Sequence, residues 1–273
     1  MTIRFHRPAA PLHDFVDFFW YYDGFIPLHE KERVLPDGTF ELIINLDATP
    51  RKLFDRANHQ KYRSFRRAWL SGGHSQFLVI DTLLHSSMIG VHFRPGGVAP
   101  FLEMPVSAVS GSVIELEAMW GAAALTLRDA LLEQPRPESK FRVLEKFLRR
   151  RFRPTREPSG AVRHALDHFL AMPHAATMRQ VAVDLGISQK HFIAQFRKEV
   201  GLTPKRFCRI RRFHEVLRRV ESQRVIEWTD VAYSGGYYDQ AHFIHEFEAF
   251  SGINPTTYFR ERGDYLNHVP IRK

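Results

Sequence analysis

Between Ala182 and Phe259 the chain carries the same pattern twice, fifty or fifty-one residues apart. Ala182-Val183-Asp184-Leu185-Gly186 aligns with Ala232-Tyr233-Ser234-Gly235-Gly236. Further on, Phe192, Phe196, Gly201, Pro204 and Phe207 align with Phe243, Phe247, Gly252, Pro255 and Tyr258. The intervals Ala-to-Gly, Phe-to-Phe, Phe-to-Gly, Gly-to-Pro and Pro-to-aromatic agree in both copies, and only the stretch after the first glycine differs, by one residue. A repeat this regular is one supersecondary unit used twice. Each copy reads as a short helix, a glycine turn, a second helix with Phe at i and i+4, and a Gly-x-x-Pro stop that opens another helix.

A small alanine on the first helix lets the second cross close to it. A glycine between them accepts positive φ, and the second helix buries one apolar stripe while its other face stays free. That is the logic of a helix-turn-helix, and with these residues the chain resembles the AraC/XylS family of bacterial transcription regulators. In the first copy the likeness rests on Val181 to Ser188, Phe192, Phe196-Arg197 and Gly201-Leu202-Thr203-Pro204. In the second it rests on Asp230-Val231-Ala232, Gly236 to Ile244, Phe247 and Ser251 to Pro255. The match covers roughly residues 160–261. It implies that two recognition helices enter successive major-groove segments of DNA, with a linker helix setting their separation near one helical turn.

The charge distribution is consistent with a polyanionic partner. The chain has 39 Lys+Arg against 30 Asp+Glu. From Ser188 to Arg219 ten basic residues face Glu199 and Glu215, and from Arg136 to Arg156 nine face Glu138 and Glu145. The stretch Glu221–Asn267 reverses the balance, with eight acidic residues and three arginines. The electrostatic grip is therefore expected mainly from the first repeat and the helix after it. For Arg136–Arg156 a solvated helix face is an equal alternative.

Apolar periodicity places a helix over Ala161–Met172, with Pro173 past its end, and Thr177 as N-cap of the next. Ser188 caps the first recognition helix, and Pro204 opens a long helix carrying Phe207, Ile210, Phe213, Leu217 and Val220 inward with its basic residues outside. In the second copy Thr229 or Asp230 starts the first helix and Asp239 caps the second. The family's base-reading positions fall by resemblance on Lys190, Ile193 and Ala194, and on Gln240, Ala241 and His245. Gln offers adenine a bidentate pair, Lys donates to guanine, and Ala or Ile touches only a thymine methyl. The first copy therefore either has modest specificity or uses Gln189, His191 and Gln195 as well. Arg197 is a further DNA-binding candidate, and Arg209, Arg212 and Arg219 of the long helix are expected on phosphates; His242 and His245 are either DNA contacts or surface histidines.

The N-terminal half reads as β-rich. Phe15–Tyr22 suits a buried strand or helix edge, and Phe40–Leu46, Trp69–Gly73, Phe77–Ile80 and Met88–Phe93 read as strands between the turns Val34–Gly38 and Arg94–Gly97. Helical patterns follow over Ala122–Leu132 and Glu138–Phe152. The order Arg33-Val34-Leu35-Pro36-Asp37-Gly38 with Glu41–Leu46, and Gly90–Gly97, resembles a sensor-like domain found ahead of such DNA-binding domains. Asp37, Glu41, His92 and Arg94 are candidates to line an effector pocket there. Some proteins with these repeats are DNA-alkylation repair enzymes, but they need a nucleophilic cysteine and a cysteine-rich zinc site, and Cys208 is the only thiol. His85 and His92 lack the His-x-His spacing of a cupin-type metal centre, so structural histidines are preferred.

The expectation is an α+β chain of two domains. A β-rich effector-sensing or dimerisation domain over 1–153 has trailing helices, and an all-α DNA-binding domain over 154–273 holds repeats at about 177–207 and 228–260 joined by a long helix. No enzyme activity, cofactor or metal is expected. The expected partner is double-stranded DNA, with RNA polymerase, an unidentified small-molecule effector and a second copy of the chain as candidates. With no signal-peptide core and no run of 18 apolar residues, a cytoplasmic, nucleoid-associated protein away from membranes is expected. The alternative is a DNA-binding protein whose N-terminal domain only dimerises or contacts another protein.

Overall fold

Alternation of apolar residues along the N-terminal strands demands a sheet with two different faces. The computed structural model, which describes residues 1–174, 178–221, 223 and 226–272, shows how both faces are used. Strands β1 (Thr2–His6), β2 (Val16–Phe25), β3 (Lys31–Val34), β4 (Phe40–Asn45), β5 (Arg51–Phe54), β6 (Tyr62–Phe65), β7 (Ala68–Gly72), β8 (Leu78–Asp81), β9 (Ser86–Phe93) and β10 (Ser112–Glu115) come first. They form one antiparallel sheet in the order β1-β2-β9-β4-β7-β10 and most of a second. Helices α1 (Leu116–Trp120), α2 (Ala122–Leu132) and α3 (Pro137–Arg151) follow.

Phe19, Tyr21, Leu42, Ile44, Ile89 and Val91 point from the first sheet toward Leu127, Leu131, Phe141, Leu144 and Leu148 of α2 and α3, making one core. Their sequence neighbours Trp20, Tyr22, Ile43 and Met88 point the other way, toward Leu53, Phe65 and Leu78 of the second sheet. Period-2 alternation thus feeds helices on one side and a sheet on the other. The run Phe15–Tyr22 resolves as β2. The short strands β1, β3, β5, β6 and β10 carry no clear strand signal in the sequence, because their charged and polar positions break the apolar alternation.

The helical half comprises α4 (Gly160–Ala171), α5 (Met178–Asp184), α6 (Gln189–Val200), α7 (Pro204–Glu221), α8 (Trp228–Ser234), α9 (Gln240–Ser251) and α10 (Pro255–Glu261). The boundaries match the sequence reading closely; α8 starts at Trp228, because its indole packs on Phe243 with ring centroids 6.0 Å apart. The expected cap Thr177 lies outside the described residues. Phe192, Phe196, Phe207, Phe213, Phe243, Phe247, Phe250 and Tyr258 are all buried in a single core.

Beyond α10 the chain returns to the N-terminal half. Strand β11 (His268–Pro270) pairs with β3 and completes the second sheet, in the order β11-β3-β8-β5-β6. The amide of Leu35 donates to Asn267 O (2.8 Å) and that of Ile271 to Lys31 O (2.9 Å). Leu35 itself, 2% exposed, belongs to the helical core.

Two repeated glycines mark where the halves meet. Gly201 and Gly252 end α6 and α9 in left-handed conformations, φ 90° and 71°. A Cβ on Gly201 would sit 3.1–3.2 Å from Val106, Phe40 and Ser110, and one on Gly252 only 2.4 Å from Phe77. Glycine is thus required twice over, for backbone sign and for close approach. Helices α6 and α9 therefore rest their C-terminal ends on the β-rich half and leave their N-terminal ends outward.

Leu35→Ala should lower the unfolding free energy by about 2–5 kcal/mol, the range for emptying a buried leucine site. Urea unfolding followed by far-ultraviolet circular dichroism of the helical half measures this; a loss below about 1 kcal/mol, that of an ordinary surface change, would take Leu35 out of the helical core.

Candidate nucleic-acid interface and effector cavity

Each recognition helix is started by a side chain that satisfies an orphan amide. Ser188 Oγ accepts from the His191 amide (3.2 Å), and Asp239 Oδ1 from the His242 amide (2.7 Å). With Phe192, Phe196 and Val200 buried in α6, the exposed positions are Gln189, Lys190, His191, Ala194 and Arg197, while Ile193 is half-buried. Gln195 is drawn sideways, its Nε2 donating to Ser159 Oγ (2.8 Å), and does not extend the outward surface. In α9, Gln240, Ala241, His242 and His245 are exposed. Gln240 Oε1 lies 3.5 Å from the Thr229 hydroxyl, which holds the side chain beside the helix start.

Sequence reasoning passed over Tyr238. It is 87% exposed immediately ahead of the Asp239 cap, at the outward end of α9. A large aromatic left in water next to an N-cap, where the hydrophobic pattern does not need it, was the available signal.

The linker helix α7 differs from the reading that put its basic residues outside. Arg209 pairs with Glu246 of α9, and Arg212 lies 3.8 Å from the other oxygen of the same carboxylate. Glu246 is buried, so a positive partner is obligatory. Arg212 also donates to Gly236 O (3.2 Å) and lies over the Tyr237 ring, while Arg209 lies over Phe250. Arg211 is half-buried and donates to Asp37 O (3.3 Å). Three of the linker arginines thus brace α7 internally, because helical periodicity brings their stems against α9 and the β-rich half. Lys205, Arg218 and Arg219 remain exposed on α7, with Arg197 and Lys198 on α6.

Between the two sheets lies a cavity of about 960 Å³, lined by Trp20, Tyr22, Phe65 and Trp69 together with several polar groups. The structure brings Asp37, Glu41 and His92 together there. His92 lies 3.6 Å from Asp37 Oδ2 and 3.8 Å from Glu41 Oε1, and stacks on Phe18 with centroids 4.8 Å apart. Glu41 Oε1 accepts from Trp20 Nε1 (2.7 Å), and Asp37 Oδ1 accepts from the Thr39 amide and hydroxyl (2.9 and 2.7 Å). Arg94 also lines the cavity but is exposed and pairs instead with Asp17, 3.7 Å away.

Burial opposes the charged form of His92, but the hydrogen bond and charge of Glu41 and the charge of Asp37 outweigh it and raise the imidazole to about 9. Burial likewise opposes the Asp37 carboxylate, yet His92 and the Thr39 bonds hold its pKa below the usual value. The neighbouring His214 of α7 is buried, lacks a carboxylate close enough to compensate, and falls to about 4; its Nε2 donates to Pro36 O (2.8 Å). Arg211, His214, Leu266 and His268 also line the cavity, so α7 and the tail form part of its wall. Among the described residues no group of three or more His, Cys, Asp and Glu could hold a metal ion, and no helix is long and apolar enough to cross a membrane.

Residues 181–261 match the helix-turn-helix domain family, and residues 4–115 match a domain of unknown function, DUF6597. No curated protein matches the chain. Among solved structures, ToxT from Vibrio cholerae is 10% identical, with a TM-score of 0.46, over 89% of this chain and 97% of its own. The C-terminal domain of AraT, a response regulator from Geobacillus stearothermophilus, is 22% identical over 40% of this chain and 92% of its own, with a TM-score of 0.36. A DNA-binding transcriptional dual regulator from Escherichia coli K-12 is 20% identical over 38% and 99%, with a TM-score of 0.33.

The two histidines set opposite limits on stability. His92, raised to about 9 by Glu41 and Asp37, contributes fully below its unfolded value near 6.5 and loses that contribution as pH rises toward 9. His214, lowered to about 4 by burial and by the charges of Arg211 and Arg218, against the opposing charge of Asp37, contributes above about 6.5 and loses it as pH falls toward 4. Thermal unfolding across this range should be most resistant near neutrality. In His92→Gln the alkaline fall should be blunted while the acid fall persists; an unchanged alkaline limb would show that His92 does not carry that charge.

Proposed function

With an AraC-type helix-turn-helix domain as its C-terminal part, the chain is, we propose, a sequence-specific DNA-binding transcription regulator modulated through its β-rich half. The observation that carries this reading is the paired presentation of α6 and α9. Both are capped by a side chain at the outward end, both are backed by the same core, and both end on a left-handed glycine against the β-rich half. Such helices offer their first turns to successive major-groove segments.

In this role Gln240, Ala241, His245 and His242 read or border bases from α9, and Gln189, Lys190, His191, Ile193 and Ala194 do so from α6. Tyr238 joins the α9 set. Arg197 contacts phosphate, with Lys198, Lys205, Arg218 and Arg219 beside it. Arg209 and Arg212, engaged with Glu246, hold the second unit on the linker helix. Their contribution to DNA binding is to fix the angle between the two readers rather than to touch phosphate.

The inter-sheet cavity is the effector site in this reading. Its apolar walls and the convergent Asp37, Glu41 and His92 suit a small molecule. Because Arg211, His214 and the tail share its wall, occupancy would act directly on α7 and on the strand that follows the second unit. That geometry favours a sensor over a domain that only dimerises. The protein acts without enzymatic activity of its own, with RNA polymerase or a second copy as candidate partners on the promoter.

Titration of fluorescent random-sequence duplex at low and high salt tests DNA binding itself; absence of salt-dependent binding would overturn the proposal. On a duplex enriched by selection, Gln240→Ala should cost about 1–3 kcal/mol while binding to random sequence changes little. Equal losses on both would move Gln240 to the DNA backbone.

A further inference from the structure

The second basic run, Arg136 to Arg156, is not absorbed by either helix-turn-helix. It forms α3 and the segment leading to α4. Helix α3 buries Phe141, Leu144 and Leu148 beneath the first sheet. Its opposite face presents Arg142, Lys146 and Arg150, all exposed. They stand at i, i+4 and i+8, about 6 Å apart along the helix axis.

Like charges at this spacing oppose each other, and an opposite charge would normally be interleaved. Glu145 is on the helix but is taken up by Arg149 (2.6 Å) and by His6 (3.6 Å). Among the described residues Arg142, Lys146 and Arg150 have no ion-pair partner. Two more exposed arginines, Arg153 and Arg156, continue the charge toward α4.

That continuation ends on the first recognition helix. The amide and hydroxyl of Ser159, three residues past Arg156, donate to Glu199 Oε2 (2.8 and 3.0 Å), and the same hydroxyl accepts from Gln195. Ser159 thereby ties the end of the basic segment to the flank of α6, the helix read here as entering the groove. A protein partner would need apolar anchors at the centre of its contact. No large apolar side chain is exposed between Leu132 and Leu170. Evenly spaced, unpaired positive charge suits phosphate oxygens instead.

We propose that the exposed face of α3 and the Arg153–Arg156 segment form a second, sequence-independent phosphate-contact surface. It grips the duplex beyond the groove segment entered by α6. This inference rests on the DNA-binding reading above. It also makes the β-rich half a direct DNA contact rather than only a sensor.

The test uses full-length protein carrying Arg142→Gln, Lys146→Gln and Arg150→Gln, titrated with a random-sequence duplex over a range of salt. If all three touch phosphate, the slope of log affinity against log salt should fall by about 2–3, at about 0.9 per lost contact. A variant with Arg142→Lys and Arg150→Lys should keep the wild-type slope. Thermal midpoints verify folding; if the triple variant unfolds, each single variant should lower the slope by about 0.9. An unchanged slope in folded variants overturns this surface while leaving the helix-turn-helix reading intact. Failure of the wild-type protein to bind the duplex at all overturns that reading too.

Discussion

The apolar seam of α7 is the constraint on which the rest of the molecule depends. Phe207 packs edge-on to Phe196 of the first unit (5.8 Å), and Phe213 to Phe247 of the second (5.1 Å). One helix therefore supplies part of both cores. Each buried aromatic or aliphatic side chain contributes about 1.5–3 kcal/mol relative to exposure, and sharing them along one rigid element fixes the separation of α6 and α9. Leu35 inserts into the same core from the β-rich half, so the spacing of the two units is tied to a loop between β3 and β4.

Electrostatics reinforces that seam where apolar packing ends. Glu246 is buried on α9, and its charge is held by Arg209 and Arg212 of α7. Removing one partner of such a pair leaves a buried charge uncompensated, so the pair specifies a single docking geometry more than it adds net stability. At the cavity end Asp37 and Glu41 likewise compensate the charge of His92. Asp37 also presents its backbone carbonyl to Arg211, so one residue faces the cavity with its side chain and α7 with its main chain. A molecule that displaced the His92 contacts would disturb the same turn that holds the linker helix.

The helical half was legible because its signals are local. Phenylalanine at i and i+4, proline at N1, serine and aspartate caps and glycine at C′ act within a few residues, so α6, α7 and α9 were located within about a turn. Fold class and the two-unit plan followed from the repeat. In the β-rich half the strands with strong β-branched or aromatic alternation, β4, β7, β8 and β9, were visible. Strand β11 was not, since His268-Val269-Pro270 has no pattern until it meets β3.

The sequence alone determined where the two capped helices α6 and α9 lie, which glycines end them and which aromatics fill their core, because each depends on chemistry spanning less than ten residues. Tertiary structure decided the roles of the charges. Arg209, Arg212 and Gln195 look available for DNA in the linear chain, and the fold draws them to Glu246 and Ser159. It likewise gathered Asp37, Glu41 and His92 into one cluster and left Arg94 outside it, paired with Asp17. Long polar side chains take the partner that lies nearest in space, and which partner that is depends on contacts between residues far apart in the chain.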